Sequence, residues 1–182
     1  MLQYYLQQTK LGGWNQAVVE VSSHAVTLSR VENISWDCGI FTSFSRDHLD
    51  LYGTMEAYFQ AKLDFFRALN VSPKKNKIAV VNIDDSKGHE VCDIIDKKSV
   101  KLFTVSMKDS NADYFVAKSR YTDTGTELCI IQNKENEINL SIGLKGEVNI
   151  INTALAVCAA IESGKMTSEQ ITQAVKNFNG VP

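Results

Sequence analysis

Two polar clusters follow short apolar runs near the start of the chain. The apolar run 17–21 overlaps the first cluster, Glu20-Val21-Ser22-Ser23-His24, and the run 38–42 leads into the second, which extends over residues 42–50. Both runs are typical of buried strands. In an open α/β sheet, ligands bind beyond the carboxyl ends of the strands, so we expect both clusters at one edge of the sheet.

The side chains in these clusters suit a divalent cation. Glu20 and His48 are the kinds of oxygen and nitrogen donors that such a cation accepts. The plainer alternative is that Asp47 and Asp50 cap a turn, and that His24 and His48 are ordinary loop residues. The residue types alone leave both interpretations open.

A lysine interrupts the apolar face of the clearest predicted helix, which covers residues 54–69 and begins after Thr54 as its N-cap. The apolar stripe follows i, i+3, i+4 spacing, and its members are Met55, Tyr58, Phe59, Phe65, Phe66 and Leu69. Lys62 falls inside this stripe. Its amine can extend to solvent, pair with a buried carboxylate, or lose its proton on burial and be modified chemically. A carbamate formed with carbon dioxide would convert the cation into an anion able to face a metal.

The elements that must position these residues alternate over the first 105 residues. Strands are predicted at 17–21, 38–42, 78–81 and 101–105, with helices between them at 23–30, 54–69 and 86–96, after a first helical segment at 1–10. This βαβαβαβ pattern predicts a parallel sheet covered by helices. Short strands at 113–119, 126–132 and 136–142 predict a small antiparallel meander, and helices follow at 149–162 and 168–178.

The fold class expected is therefore α/β, with a mostly parallel sheet flanked by helices and a small antiparallel β-meander. We expect residues 1–182 to form part of a single domain. Its parallel part covers 1–105, the antiparallel strands 106–145, the C-terminal helices 146–179, and the start of a linker 180–182.

Composition excludes several classes of protein. The 182 residues include 19 Lys+Arg against 21 Asp+Glu, a net charge of −2 that argues against a general nucleic-acid binder. No apolar run approaches the length of a membrane span, and the N-terminus lacks the features of a secretory signal. The four cysteines never form C-x-x-C, which favours reduced thiols in a cytoplasmic protein over a thiolate metal cluster. No G-x-x-x-x-G-K-[ST] loop occurs, so the chain has no phosphate-binding loop of this type.

Several motifs in a fixed order resemble the central domain of the Mur ligases, and the resemblance covers nearly the whole chain. The branch it resembles most adds the third amino acid to UDP-N-acetylmuramoyl-L-alanyl-D-glutamate. The matching segments are Glu20-Val21-Ser22-Ser23-His24 with Arg30, Phe41-Thr42, Ser45-Arg46-Asp47-His48-Leu49-Asp50, Gly53-Thr54-Met55-Glu56, Tyr58 with Ala61-Lys62, Asn82-Ile83-Asp84-Asp85, and 146–156.

The resemblance implies roles for individual residues. Such enzymes use ATP to phosphorylate a substrate carboxylate, and the amine of an incoming amino acid attacks the acyl phosphate. Glu20 and His48 would help to hold Mg²⁺, and Lys62 matches the lysine that is carbamylated in the family and supports a magnesium ion. His48 and Lys62 would thus be the catalytic residues.

The resemblance also implies contacts to substrate and nucleotide. Ser22 and Arg30 would contact the muramoyl dipeptide, and the rigid fork of an arginine suits anion recognition. Asn149 and Asn152 would lie near the adenine of ATP, although their position at a helix start is equally typical of simple capping.

Departures from the family pattern affect substrate binding more than the fold. Ser43 stands where the family usually has Asn, and Tyr52 stands where a second histidine is common. Leu28 replaces a common glutamine, and Val148 replaces a common Phe.

The family's nucleotide-binding loop and its N- and C-terminal domains have no counterpart in this sequence. We therefore expect a fragment that is inactive alone, binds ATP poorly and self-associates through exposed strand edges. The family's C-terminal domain selects the incoming amino acid, so this sequence does not distinguish an enzyme that adds L-lysine from one that adds meso-diaminopimelate. The alternatives are a non-catalytic binding or scaffold module, and a ligase like folylpolyglutamate synthetase.

Overall fold

The computed structural model describes residues 2–47, 49–178 and 180. Within these residues six strands form one sheet in the order β1 to β6. The strands are β1 (Cys38–Phe41), β2 (Lys77–Asn82), β3 (Val100–Ser106), β4 (Tyr114–Thr122), β5 (Gly125–Gln132) and β6 (Asn136–Ile142). The helices are α1 (Leu2–Leu11), α2 (Ser23–Thr27), α3 (Leu49–Tyr52), α4 (Met55–Val71), α5 (Gly88–Ile94), α6 (Glu147–Glu162) and α7 (Ser168–Asn177).

The sheet is parallel in its first half and antiparallel in its second. β1, β2, β3 and β4 pair in parallel, and β4, β5 and β6 form an antiparallel meander that continues the same sheet. The fold class predicted from the sequence is therefore confirmed. The division into segments at residues 105, 145 and 179 stays a prediction. Of the predicted linker at 180–182, only Gly180 lies within the described residues.

Alternation along the central strand β2 builds a core on each face of the sheet. Ile78 and Val80 pack on the face that α6 and α7 cover. Ala79 and Val81 pack on the opposite face, with α4 and α5. Because successive side chains of a strand point to opposite faces, a strand buried on both faces must be apolar at nearly every position.

Helix α4 lies close against β1 because Gly39 has no side chain. A Cβ at this position would come within 3.0 to 3.2 Å of side-chain atoms of Phe65, Leu69 and Phe66. The N-cap predicted for α4 is confirmed, since the Thr54 hydroxyl accepts a hydrogen bond from the amide of Ala57 at 3.1 Å. This packing fixes the part of α4 that carries Lys62.

The strand predicted at residues 17–21 is wrong. These residues have no regular secondary structure, and Val18 is fully exposed. A strand needs a neighbour for its backbone hydrogen bonds, but residues 19–21 lie across a cavity from β1, whose one strand partner among the described residues is β2. The sequence pattern was right about the apolar content and wrong about the burial, because burial depends on a partner that the pattern does not encode.

The helix predicted to run from Ser23 to Arg30 is shorter than expected. Ser22 is its N-cap, as predicted, but α2 ends at Thr27. Ser29 then adopts a positive φ of 51°, a conformation that continues no helix. Within the described residues, no helix is long and apolar enough to cross a membrane.

Candidate active site

A cavity of about 440 Å³ lies at the open edge of β1. Residues 19–23 form one wall, and the end of β1 with the following residues Thr42 and Ser43 forms the other. Helix α4 contributes Tyr58 and Lys62, and α6 contributes Asn152, Leu155 and Ala156. The two polar clusters predicted to meet at one edge of the sheet therefore do meet, at the carboxyl end of β1.

The amine of Lys62 lies inside this cavity, half-buried on α4. Its Nζ is 5.4 Å from the centroid of the Tyr58 ring, one helical turn earlier. Burial lowers the pKa of Lys62, and the carboxylates of Asp85, Asp47 and Glu20 oppose that shift in this order. Among the described residues Lys62 forms no salt bridge, so desolvation is the dominant influence.

Three acids approach Lys62 from three separate segments. Glu20 belongs to the wall at 19–23, Asp47 to the segment after β1, and Asp85 to the loop after β2. Asp47 and Asp85 were not predicted as site residues. The only sequence signals for them were their places in the motifs Ser45–Asp50 and Asn82–Asp85, because their convergence depends on how two loops cross.

A buried hydroxyl lies at the cavity wall. Ser23 is 2% exposed, and within the described residues its Oγ has no hydrogen bond of good geometry. Burial raises the pKa of the Tyr58 phenol, and the nearby Ser23 hydroxyl opposes the increase. An orphaned buried oxygen costs free energy unless a ligand or water satisfies it. Ser23 therefore marks this wall as a place where a polar ligand fits.

The predicted substrate contacts divide between the cavity and the surface. Ser22 lines the cavity, where its hydroxyl caps α2 by accepting from the amide of Ala25 at 3.2 Å. Arg30 is exposed and does not line the cavity. Tyr52 stands at the position where the family pattern has a second histidine. Its hydroxyl oxygen lies 2.9 Å from the hydroxyl oxygen of Thr27.

The two asparagines of α6 also differ in position. Asn152 is exposed toward the cavity and helps to line it. Asn149 donates through Nδ2 to the carbonyl of Lys145 at 2.8 Å, which is a local contact at the helix start. Of the pair, Asn152 therefore has the position from which a bound ligand can be reached. The N-cap of α6 is Gly146, without a side-chain hydrogen bond, so the capping interpretation of the two asparagines is wrong.

The candidate metal site is incomplete within the described residues. His48 lies outside them, and no group of three His, Cys, Asp or Glu side chains among the rest is placed to hold a metal ion. Glu20 and Asp47 offer oxygens of the kind Mg²⁺ prefers. A protonated Lys62 would repel a cation, whereas a carbamate on its nitrogen would add two further oxygens. The donor set fits Mg²⁺ only in that modified form.

This chain belongs to the family of Mur ligases, because the model of the Mur ligase middle domain matches residues 1–160. The UDP-N-acetylmuramoyl-L-alanyl-D-glutamate--2,6-diaminopimelate ligase of Synechocystis sp. is 32% identical over 181 residues, which are 100% of this chain and 34% of that protein. The enzyme of the same name from Corynebacterium glutamicum is 36% identical over 153 residues, 84% of this chain and 28% of the relative.

The fold agrees with this assignment. A solved structure of a UDP-N-acetylmuramoyl-L-alanyl-D-glutamate--2,6-diaminopimelate ligase superposes with a TM-score of 0.85 at 27% identity, over 100% of this chain and 36% of that one. The chain thus spans about a third of the length of the relatives it matches. The resemblance stated from the motifs is confirmed.

Proposed function

We propose that this chain is the catalytic part of an ATP-dependent ligase of peptidoglycan synthesis. The ligase adds a third amino acid, L-lysine or meso-diaminopimelate, to UDP-N-acetylmuramoyl-L-alanyl-D-glutamate through an acyl phosphate. The observation that carries the proposal is the convergence of Lys62 with Glu20 and Asp47 at one cavity, in a chain whose relatives bear the name of this ligase. The names of those relatives favour diaminopimelate.

The chemistry of Lys62 begins with a neutral amine. Burial favours the uncharged form, and the free electron pair on Nζ attacks the carbon of carbon dioxide, forming a C–N bond while a proton leaves to solvent. The product is a carbamate with one negative charge. It faces Glu20 and Asp47 across the cavity, so several oxygens would share one cation there, with His48 as a further ligand in the proposal.

Bound Mg²⁺ would supply positive charge to offset the negative charge of the phosphates and of the acyl phosphate. Glu20 and the modified Lys62 would hold this cation at the carboxyl end of β1. Ser22 and Asn152 line the cavity and are proposed to contact the muramoyl dipeptide and the adenine, respectively. Arg30 and Asn149 do not line the cavity and are proposed to contact the same two groups from outside it.

The isolated chain is proposed to be inactive and to bind ATP weakly, because it contains no phosphate-binding loop of the G-x-x-x-x-G-K-[ST] type. It is proposed to work in the cytoplasm, where its nucleotide-linked substrate and ATP occur together. The free edge of β1 and the exposed Val18 support self-association of the chain on its own.

A chimaeric enzyme tests the proposal. Residues 1–182 would replace the aligned third of the Synechocystis ligase, and the product UDP-N-acetylmuramoyl tripeptide would be measured with ATP, Mg²⁺ and diaminopimelate. We expect tripeptide from the chimaera and a loss of about 10²-fold or more in kcat for its Lys62→Ala variant. The matched control is Lys101→Ala, an exposed lysine on β3, which should keep full activity. A folded chimaera that binds the dipeptide substrate yet makes no tripeptide would contradict the proposal.

A further inference from the structure

The segment that leaves β1 is held by side chains of a different loop. Asn82, at the end of β2, donates through Nδ2 to the carbonyl of Thr42 at 2.8 Å. Asp85, three residues later, accepts through Oδ2 from the amide of Phe44 at 2.8 Å. These two bonds span about 40 residues of sequence and fix both ends of the tripeptide 42–44.

Each of the two side chains also binds its own loop. Asn82 accepts through Oδ1 from the amide of Asp84 at 3.0 Å, and Asp85 accepts through Oδ1 from the amide of Lys87 at 2.9 Å. Asn82 is only 6% exposed. Because both functional ends of each side chain are occupied, neither side chain can rotate without losing a hydrogen bond, and the loop and the segment are held as one unit.

The anchored segment packs on the helix that carries Lys62. The ring of Phe44 has its centroid 4.9 Å from that of Tyr58 and 5.1 Å from that of Phe59. Three residues beyond Phe44, Asp47 lines the cavity together with Lys62. The course of the segment over α4 therefore decides where this carboxylate lies.

We propose that Asn82 and Asp85 are positioning residues of the candidate active site, which hold segment 42–47 on α4 so that Asp47 faces the cavity beside Lys62. This inference rests on the proposed function for its catalytic meaning, since it assigns the two residues to the carbamate site. Its structural part, the anchoring of segment 42–47, stands on the hydrogen bonds alone.

The loop offers a matched control. Asp84 also accepts two hydrogen bonds through its carboxylate. Its Oδ1 accepts from the hydroxyl of Ser106, and its Oδ2 accepts from the amide of Met107 at 2.7 Å. Ser106 is the last residue of β3 and Met107 follows it, and neither lines the cavity. Asp84→Ala therefore removes a comparable anchor next to the proposed pair without touching segment 42–47.

The test uses NMR of the 182-residue chain with ¹³C-labelled bicarbonate. Asn82→Ala and Asp85→Ala should raise the exchange rate of the Phe44 amide about tenfold or more and remove the NOEs between the rings of Phe44 and Tyr58. Asp85→Asn keeps one of the two acceptor oxygens and should keep these NOEs more strongly than Asp85→Ala. The carbamate signal of Lys62 should fall at least about twofold in Asn82→Ala relative to the wild type, and in Asp85→Ala relative to Asp85→Asn, since both Asp85 variants lack the carboxylate that opposes the lowered pKa of Lys62. Asp84→Ala should leave all three readouts at their wild-type values.

Three other results would each overturn one part of the proposal. Survival of the Phe44–Tyr58 NOEs in both alanine variants would overturn the anchoring, as would their equal loss in Asp84→Ala. An unchanged carbamate signal after loss of the NOEs would overturn the positioning role. If the wild type shows no carbamate signal, the proposed function is contradicted. The anchoring of segment 42–47 is then judged by the exchange rate of the Phe44 amide and by the Phe44–Tyr58 NOEs. If Asn82→Ala does not fold, the comparison of Asp85→Ala with Asp85→Asn carries the test.

Discussion

The Nζ atom of Lys62 lies 5.4 Å from the centroid of the Tyr58 ring, and both residues line the cavity at the end of β1. An aromatic face attracts a cation, whereas burial disfavours one. The net effect lowers the pKa of Lys62, against the opposing carboxylates of Asp85, Asp47 and Glu20. The amine at the centre of the site is therefore more easily deprotonated than an exposed lysine.

The pH dependence of stability should reveal this amine. Because the pKa of Lys62 is lower in the folded chain than the ordinary value of 10.5, the unfolded chain binds more protons in the interval between the two values. The free energy of unfolding should then rise with pH through that interval. Lys62→Gln should remove this part of the slope, measured by urea unfolding at a series of pH values. An identical slope in the variant would contradict the shift.

The cysteines should be poorly reactive in the folded chain. Burial raises the pKa of the Cys38 and Cys92 thiols to about 11, and it also raises the pKa of Cys158. At pH 8 we expect these three thiols to react with a disulfide reagent far more slowly than after unfolding, because the thiolate is the reactive form. The contribution of these thiols to the free energy of unfolding should fall as the pH rises above 9, where the unfolded thiols ionise first, and it opposes the contribution of Lys62. Rapid labelling of all four thiols in the native chain would be inconsistent with this structure.

A buried hydrogen-bond network on the other face should carry measurable stability. The hydroxyl of Tyr114, a fully buried residue, donates to Glu162 Oε1 at 2.7 Å and accepts from Gln132 Nε2 at 2.8 Å. Tyr114→Phe removes both bonds and leaves Gln132 Nε2 and Glu162 Oε1 only their mutual contact at 3.3 Å, so it should lower the free energy of unfolding by about 1–2 kcal/mol. Tyr121→Phe, at an exposed position of β4, should change it by less than about 0.5 kcal/mol. Equal effects of the two substitutions would argue against the network.

The exposed run at 17–21 leads to a prediction about association. Val18→Lys should leave thermal stability unchanged at low concentration, because the side chain is fully exposed. At high concentration the same variant should associate less than the wild type in light scattering, since a charged lysine replaces an exposed apolar side chain. A large loss of stability at low concentration would indicate that residues 17–21 are buried after all.

The elements that the sequence predicted best are those with a local signature. The stripe of α4, its cap at Thr54 and the position of Lys62 within the stripe all follow from helical spacing, and the structure places them as expected. Helix α7 likewise begins with a capping box formed by Thr167 and Gln170, a pattern that spans only four residues of sequence. Local patterns succeed where the interactions join residues a few positions apart.

The parts that were missed depend on long-range relationships. The run at 17–21 has the composition of a buried strand, yet in the part of the chain that the structure describes β1 pairs with β2 alone, and the run has no strand to pair with. Asp85 reaches the site by a hydrogen bond to Phe44, 41 residues away in sequence. No spacing rule encodes either relationship, because each depends on how separate elements cross in space.

The most direct test of the account is the state of Lys62. The chain, equilibrated with ¹³C-bicarbonate and Mg²⁺ near neutral pH, should show one carbamate carbonyl resonance by ¹³C NMR. That resonance should be absent in Lys62→Arg and retained in Lys101→Arg. A wild-type spectrum without the resonance, or a resonance that persists in Lys62→Arg, would contradict the proposal that Lys62 forms the anionic centre of this site.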